Sequence, residues 1–407
     1  MGMELPKGFR FAGVACGIKS RQGARDVTLI VSDKECTAAG IYTTNQVVAA
    51  PVVLSRTRTP SQQFRGIVVN SGNANACTGS RGMSDAREMS RLAAEALADA
   101  MPEAPLVHED QWIVMSTGII GRFLPMDKIA NGIRQAAAEL ATGEQAYLNA
   151  ADGMMTTDIA RKIADRKIQL PSGQIVCIVG MAKGAGMIGP KMATMLGCLI
   201  TDATLTSLQA QRILQKSADR SFNCISVEGH TSTNDSLVLL ATKPTENVLA
   251  LNQADEAVFA AALTELCIEL AKKIPDDGEG ATHLIEITIQ GAANDADADR
   301  IARSVALSNL VKTAMTGGDP NWGRIVSAVG YAGVPIRPEI LSLHLNGIHL
   351  FDRGEPLPFD AKVVSASIRG RKLTEIELLV GYGSGTAKHW TTDLNTEYVR
   401  FNSEYST

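Results

Sequence analysis

Apolar positions in this chain switch between two spacings. Short runs rich in β-branched residues, Val27–Val31 and Gly66–Val69, predict strands, and Trp112–Met115 predicts a buried one. Spacings of three and four take over in Ser84–Met101. There Met89, Leu92, Ala93 and Leu97 share one side and Arg87, Arg91 and Glu95 the other, the pattern of an amphipathic helix. Pro125–Leu140 predicts a second helix with its proline in the first turn. Lys162–Leu170 and Gln174–Gly180 predict a hairpin turning at Pro171-Ser172-Gly173, and Thr194–Ile200 a further strand. Leu205–Ala218, Asp255–Lys273 and Asp299–Met315 read as helices, the second stopping just before Pro275. Leu284–Gln290 alternates as a strand, and residues 339–392 read mainly as strands and turns.

Bulk properties then narrow the field. A chain of 407 residues buries a large core and has room for two or three lobes. Aromatic residues make up 4%, too few for base-stacking platforms, and a net charge of −4 leaves no basic footprint for nucleic acid. No apolar run approaches the ~20 residues of a membrane span. Met1–Arg10 mixes acid and base without the apolar core of a signal peptide. The seven cysteines include no CxxC pair, and dispersed thiols in such a chain predict a reducing cytoplasm and no zinc or redox centre. The six histidines show no metal-ligand spacing. His344 and His349, five apart in a strand-like stretch, fall on opposite faces by the period of two.

Candidate chemistry gathers at polar loops. Lys183-Gly184-Ala185-Gly186-Met187-Ile188-Gly189-Pro190-Lys191-Met192-Ala193-Thr194-Met195-Leu196 lies between two apolar runs. Its Gly184-x-Gly186-x-x-Gly189 follows a strand, as in a dinucleotide fingerprint. However, Pro190 follows at once, the continuation reads as a strand, and Asp202 comes too early for a ribose contact. A phosphate-binding P-loop fails because Pro190 separates Gly189 from Lys191. A glycine-rich turn between core strands would explain the composition equally simply. Asn70–Gly79 carries three asparagines, which serve either turns or amide donors. The strand ending in Ser116-Thr117-Gly118 offers a hydroxyl and an unhindered N–H, the equipment of an oxyanion hole. Asp276–Thr282 holds Glu279 between two glycines, and Met154–Asp158 holds two threonines.

Taken together, these strings resemble the ornithine acetyltransferase (glutamate N-acetyltransferase) family, from about residue 10 to the last residue. The resemblance implies an α/β fold in a layered α-β-β-α-type arrangement, and self-cleavage between Ala193 and Thr194. The two chains, 1–193 and 194–407, then stay together, as a pair of such heterodimers. The implied activity moves acetyl from N-acetylornithine to glutamate through Thr194, with Thr117 and Gly118 as the oxyanion hole. It makes Thr156 (or Thr157), Lys183, Glu279, Asn402 and Thr407 substrate contacts, Glu279 facing the cationic amine. A free Thr194 α-amine, titrating near ~8, is able to serve as base for its own hydroxyl, so no histidine is required. No metal or nucleotide cofactor is implied. Acetyl-CoA is left open as a second donor, and an N-terminal-nucleophile aminopeptidase or amidohydrolase as an alternative activity. Glu228 and His230 stand where the family usually has aspartates, so their role is open.

Overall fold

The computed structural model describes residues 2–103, 105–189 and 195–404. The N-terminal half supplies β1 (Phe9–Val14), β2 (Val27–Tyr42), α1 (Ala50–Arg58), β3 (Ser61–Asn73), α2 (Gly79–Ala100), β4 (Trp112–Ile119), α3 (Met126–Ala138), α4 (Glu144–Met154), β5 (Lys162–Gln169) and β6 (Ile175–Lys183). Beyond the glycine-rich hinge come β7 (Leu196–Thr204), α5 (Ser207–Asp219), β8 (Ile225–Ser226), β9 (Ser236–Thr242), α6 (Gln253–Asp276) and β10 (Leu284–Ala292). The remainder forms α7 (Asp295–Ala306), α8 (Asn309–Gly317), α9 (Trp322–Gly330), β11 (Ser342–Leu345), β12 (Ile348–Asp352), β13 (Glu355–Pro356), α10 (Ala361–Arg369), β14 (Leu373–Leu379), β15 (Gly385–Thr392) and α11 (Thr396–Glu404).

Two sheets result. The first runs β4-β3-β2-β9-β7-β6-β5, with β1 also paired to β2, and the second runs β13-β12-β11-β14-β10-β15-β8. β6 is buried along nearly its whole length because helices cover both of its faces. Ile178 packs toward Leu263 and Leu266 of α6, while Val179 and Met181 pack toward Tyr147 and Ala150 of α4. The long helix α6 touches both sheets, since its core also holds Ile225, Leu284 and Trp390. In the second sheet, β14 alternates buried and exposed positions, as a strand with one wet face must. Ile376 and Leu378 point to a core closed by α7, α8, α9 and α10. The architecture is therefore mixed α/β, with helices layered on two sheets, as expected.

Several local expectations change. α6 runs through Pro275 to Asp276 rather than stopping before it, because the proline falls in the last turn. The stretch 299–315 is two helices, broken at Leu307-Ser308, where the Ser308 hydroxyl accepts from Val311 N and caps α8. Residues 339–392 contain α10, whose Asp360 cap accepts from Lys362 N and Val363 N. β4 does not end at Thr117-Gly118 but continues to Ile119. His344 and His349 lie on adjacent strands joined by a turn, so the alternation count does not apply across them. They are cross-strand partners with rings stacked at 4.1 Å. All seven cysteines are free thiols, and no described helix is long and apolar enough to cross a membrane.

Candidate active site

The site is assembled where β3, β4 and β6 end. β3 and β4 run parallel, with Ser71 opposite Thr117 and Gly72 opposite Gly118, before the register shifts at Asn73. Gly118 has φ +130°, and a Cβ there would lie 2.3 Å from the Gly72 carbonyl carbon and 2.5 Å from Asn73 N. Only glycine allows the two backbones to approach so closely. β6 brings Lys183 to the same point. Lys183 is 2% exposed, and its ammonium donates to Thr117 Oγ1 at 3.2 Å. Because the ammonium has no acceptor capacity, the Thr117 hydroxyl keeps its own proton to donate into the site. Burial pushes the Lys183 amine below its ordinary pKa, against the charges of Asp158, Asp235 and Glu279.

A buried acid holds the backbone just after this lysine. Asp158 Oδ1 accepts from Gly184 N at 2.6 Å and from Lys162 Nζ at 2.7 Å, and Oδ2 accepts from Thr156 N at 2.9 Å. Lys162 Nζ reaches on to Asp277 Oδ2 at 2.6 Å. Burial alone would raise the Asp158 pKa. The charges of Lys183 and Lys162 and the donated hydrogen bonds outweigh it and hold the carboxyl at about 2. Glu279 is fixed by its own N–H, which donates to Ala185 O at 2.9 Å. Its carboxylate rests on Gly186, where a Cβ would come within 2.4 Å of Glu279 Cδ. On α11, Asn402 Nδ2 donates to Glu279 Oε2 at 3.1 Å. Asp393 anchors the Glu279 loop by accepting from Thr282 N at 2.8 Å and His283 N at 2.9 Å.

A cavity of about 1480 Å³ unites these groups. Thr117, Gly118, Thr156, Lys183, Glu279 and Asn402 all line it, and so does Thr157, leaving the choice between the two threonines open. Ala193, Thr194 and Thr407 lie outside the described residues, as does Lys191. The described flanks lead directly to them. On one side, Ile188 O accepts from Val227 N and Gly229 N, both at 2.9 Å. On the other, Met195 N donates to Asp235 Oδ1 at 2.9 Å, and Leu196 pairs with Lys183 across β6 and β7. Register thus sets Lys183 opposite a residue two places after Thr194.

The dinucleotide reading fails here on geometry. After the glycines the next described element is β7 rather than a helix, so among the described residues no helix N-terminus there is offered to a pyrophosphate. Gly186 instead makes room for a carboxylate. The asparagine-rich loop is mostly turn chemistry. Asn70 Nδ2 donates to Asn73 O and Asn75 Nδ2 to Gly82 O, and Asn73 alone of the three lines the cavity. Sequence reasoning missed Asp158, Lys162, Asp277 and Asn234. Asn234 Nδ2 donates to Ala74 O at 2.6 Å and Ser116 O at 2.9 Å, clamping the loop to β4. The only available signal for Asp158 was its place directly after the paired threonines. Among the described residues, no group of three or more His, Cys, Asp or Glu side chains is placed to hold a metal ion.

Fold and site together define a mixed α/β enzyme whose cavity suits acyl transfer on a small amino-acid substrate. The ArgJ family model matches residues 10–407. An arginine biosynthesis bifunctional protein ArgJ of Rhodopirellula baltica is 49% identical over 405 residues, covering 99% of this chain and 96% of that one. Its namesake in Symbiobacterium thermophilum is 44% identical over 409 residues, covering 100% and 98%. A solved ornithine acetyltransferase of Mycobacterium tuberculosis, in complex with ornithine, is 38% identical over 46% of this chain and 94% of that chain, with a TM-score of 0.42. The chain belongs to the ArgJ family, and the resemblance seen in its sequence is borne out.

Proposed function

We propose that the chain transfers acetyl from N2-acetylornithine to glutamate through an acetyl-Thr194 ester, as an enzyme of arginine biosynthesis. The observation that supports this most directly is the single cavity holding Thr117, Gly118, Lys183, Glu279 and Asn402. Maturation begins when Thr194 Oγ attacks the Ala193 carbonyl. The C–N bond breaks, an ester forms, and water hydrolyses it to leave a free Thr194 amine. That amine takes the Thr194 hydroxyl proton while Oγ adds to the acetyl carbonyl, and the oxyanion accepts from Thr117 O–H and Gly118 N–H. Collapse breaks the C–N bond, the amine returns the proton to ornithine's α-nitrogen, and ornithine leaves. Glutamate's α-amine then attacks the ester and departs as N-acetylglutamate, and Thr194 Oγ recovers its proton.

Lys183 pairs with the substrate α-carboxylate, Glu279 with the ornithine side-chain ammonium, and Thr156 or Thr157, Asn402 and Thr407 complete the contacts. The two cleavage chains, 1–193 and 194–407, remain associated as a cytoplasmic assembly of two copies of each. Intact mass under denaturing conditions tests the scheme. Wild type yields two fragments splitting between Ala193 and Thr194, and Thr194→Ala stays whole and inactive. A wild type that stays whole while turning over acetylornithine would remove the amine base and the mechanism with it. Supplying acetyl-CoA in place of acetylornithine to the cut enzyme tests the second donor.

A further inference from the structure

The cavity that holds Glu279 has a second, cationic arm with no part in the scheme above. Lys19, Arg21, Arg25, Arg122 and Lys128 line it. Arg21 and Arg122 are exposed, Arg25 Nη1 donates to Gly13 O at 2.6 Å, and the exposed Lys128 donates to Gly17 O at 2.7 Å. Lys19 is half-buried, and its stem lies on the β3–β4 ladder. A Cβ on Gly72 would come within 3.1 Å of Lys19 Cγ, and Gly72 is the residue opposite Gly118. That position is built into the fold. The fully buried Asp26 accepts from Cys16 N and Ile18 N, both at 2.7 Å, and from Lys19 N at 3.2 Å. Its carbonyl accepts from Ser71 N at 2.9 Å, which ties the same loop to β3 beside Gly72.

The Lys19 ammonium donates to Arg25 O and forms no ion pair among the described residues. An ammonium has three donors, so it has N–H groups left for a ligand in the cavity it lines. Burial first pushes its pKa down to about 8, with Lys183 acting the same way and Asp26, Asp158 and Asp152 against it, so it is mostly charged at pH 7. The exchange asks for such a group. In one half-reaction the cavity receives a side chain that ends in an ammonium, and in the other a side chain that ends in a carboxylate. Glu279 suits the first and repels the second. A carboxylate taken out of water needs a cation of its own.

We propose that Lys19 is the specificity residue for the acceptor, its ammonium taking the side-chain carboxylate of glutamate. Lys183 takes the α-carboxylate of donor and acceptor alike, and Glu279 takes the ornithine ammonium alone. The proposal rests on those readings of Lys183 and Glu279. Donor and acceptor share their α-carboxylate and α-nitrogen positions and part at the side chain, which rotation about its first bonds turns toward Glu279 or toward Lys19. No bond is made or broken at Lys19.

Acceptor choice tests the contact. In a two-step exchange, kcat/KM for the acceptor reports the second half-reaction only. With acetylornithine as donor, wild type should prefer glutamate to glutamine, which has the same shape and no charge at the end of its side chain. Lys19→Met keeps the stem and removes the ammonium. It should lower kcat/KM for glutamate by about ten- to a hundredfold, the worth of a hydrogen bond between charged groups, and change the values for glutamine and acetylornithine far less. Lys19→Arg should keep the preference for glutamate. A wild type indifferent to the two acceptors, or a glutamate-to-glutamine ratio in Lys19→Met within about threefold of wild type, overturns the proposal. Equal losses with glutamate, glutamine and acetylornithine would show that the loop only supports the cavity, and overturn it too. Acetylornithine kcat/KM untouched by Glu279→Gln removes the ammonium reading instead, and is told apart because the acceptor ratio plays no part in it.

Discussion

Thr117 is the residue on which the proposed chemistry turns. Lys183 donates to its oxygen, so the hydroxyl keeps its own proton to donate, and Thr117 lines the cavity. In the proposed scheme, Thr117→Ala removes that donor and leaves the Gly118 N–H alone. One oxyanion donor is worth about 3 kcal/mol, so kcat should fall about a hundredfold or more in both half-reactions. Thr117→Ser keeps the hydroxyl on the same backbone and should retain most of the rate. Stopped-flow acetylation of Thr194, monitored as release of ornithine, measures this directly. A Thr117→Ala enzyme within tenfold of wild type would mean that the oxyanion points elsewhere. The same deletion strips Lys183 of its hydroxyl partner, so KM for acetylornithine is the control: a large rise with kcat unchanged would assign Thr117 to binding rather than to the transition state.

At the scale of elements, an ion network fixes the start of the hinge, while Ile188 and Met195 at its described flanks sit in the apolar core. Asp158 ties Gly184, Thr156 and Lys162 together, and Lys162 carries the tie to Asp277 at the end of α6. Asp158→Asn leaves Lys162 with one carboxylate and Lys183 with the charges of Asp235 and Glu279 only. Removing one partner of a buried pair costs about 3 kcal/mol, and the surviving Asp277 contact holds the loss at that end of the range. The pH dependence has a defined sign. The folded carboxyl is depressed from its ordinary 3.8 to about 2, so its contribution is complete above pH ~4 and is lost as pH falls through the folded value. Urea unfolding should therefore show a gap between wild type and Asp158→Asn that stays flat from pH 5 to 8. A gap that closes within that window would assign the stabilisation to another group.

This network also shows where sequence reading stops. The β5–β6 hairpin was legible because two apolar runs flank Pro171-Ser172-Gly173, and β4 because Ser116-Thr117-Gly118 follows four buried apolar residues. Thr117, Gly118, Lys183, Glu279 and Asn402 were reachable because each sits in a distinctive local string, and the structure brings all five to one cavity. Asp158 was not reachable, since its meaning depends on Asp277, which meets the same lysine from 115 residues away. The break between α7 and α8 was hidden for the opposite reason: Ser308 caps a helix in the middle of unbroken apolar periodicity. α10 lay unseen because it is short and flanked by strands.

For the whole molecule, the consequence of cleavage follows from sheet order. β7 begins two residues after Thr194, yet it is an interior strand, paired antiparallel to β6 on one side and parallel to β9 on the other. β9 in turn pairs with β2. Cutting at the hinge therefore leaves the first sheet woven from both chains, with residues 1–193 supplying β2 and β6 and residues 194–407 supplying β7 and β9. Either chain alone would expose unpaired strand edges and the apolar faces of Val179, Met181, Cys198 and Ile200. The cut enzyme should behave as one cooperative unit. Hydrogen exchange read by mass spectrometry through a urea series should show β6 and β7 peptides losing protection at the same urea concentration, with neither fragment released beforehand. Protection lost first in one fragment while the other stays closed would show two independent cores, and the shared sheet could not then be what holds the severed chains together.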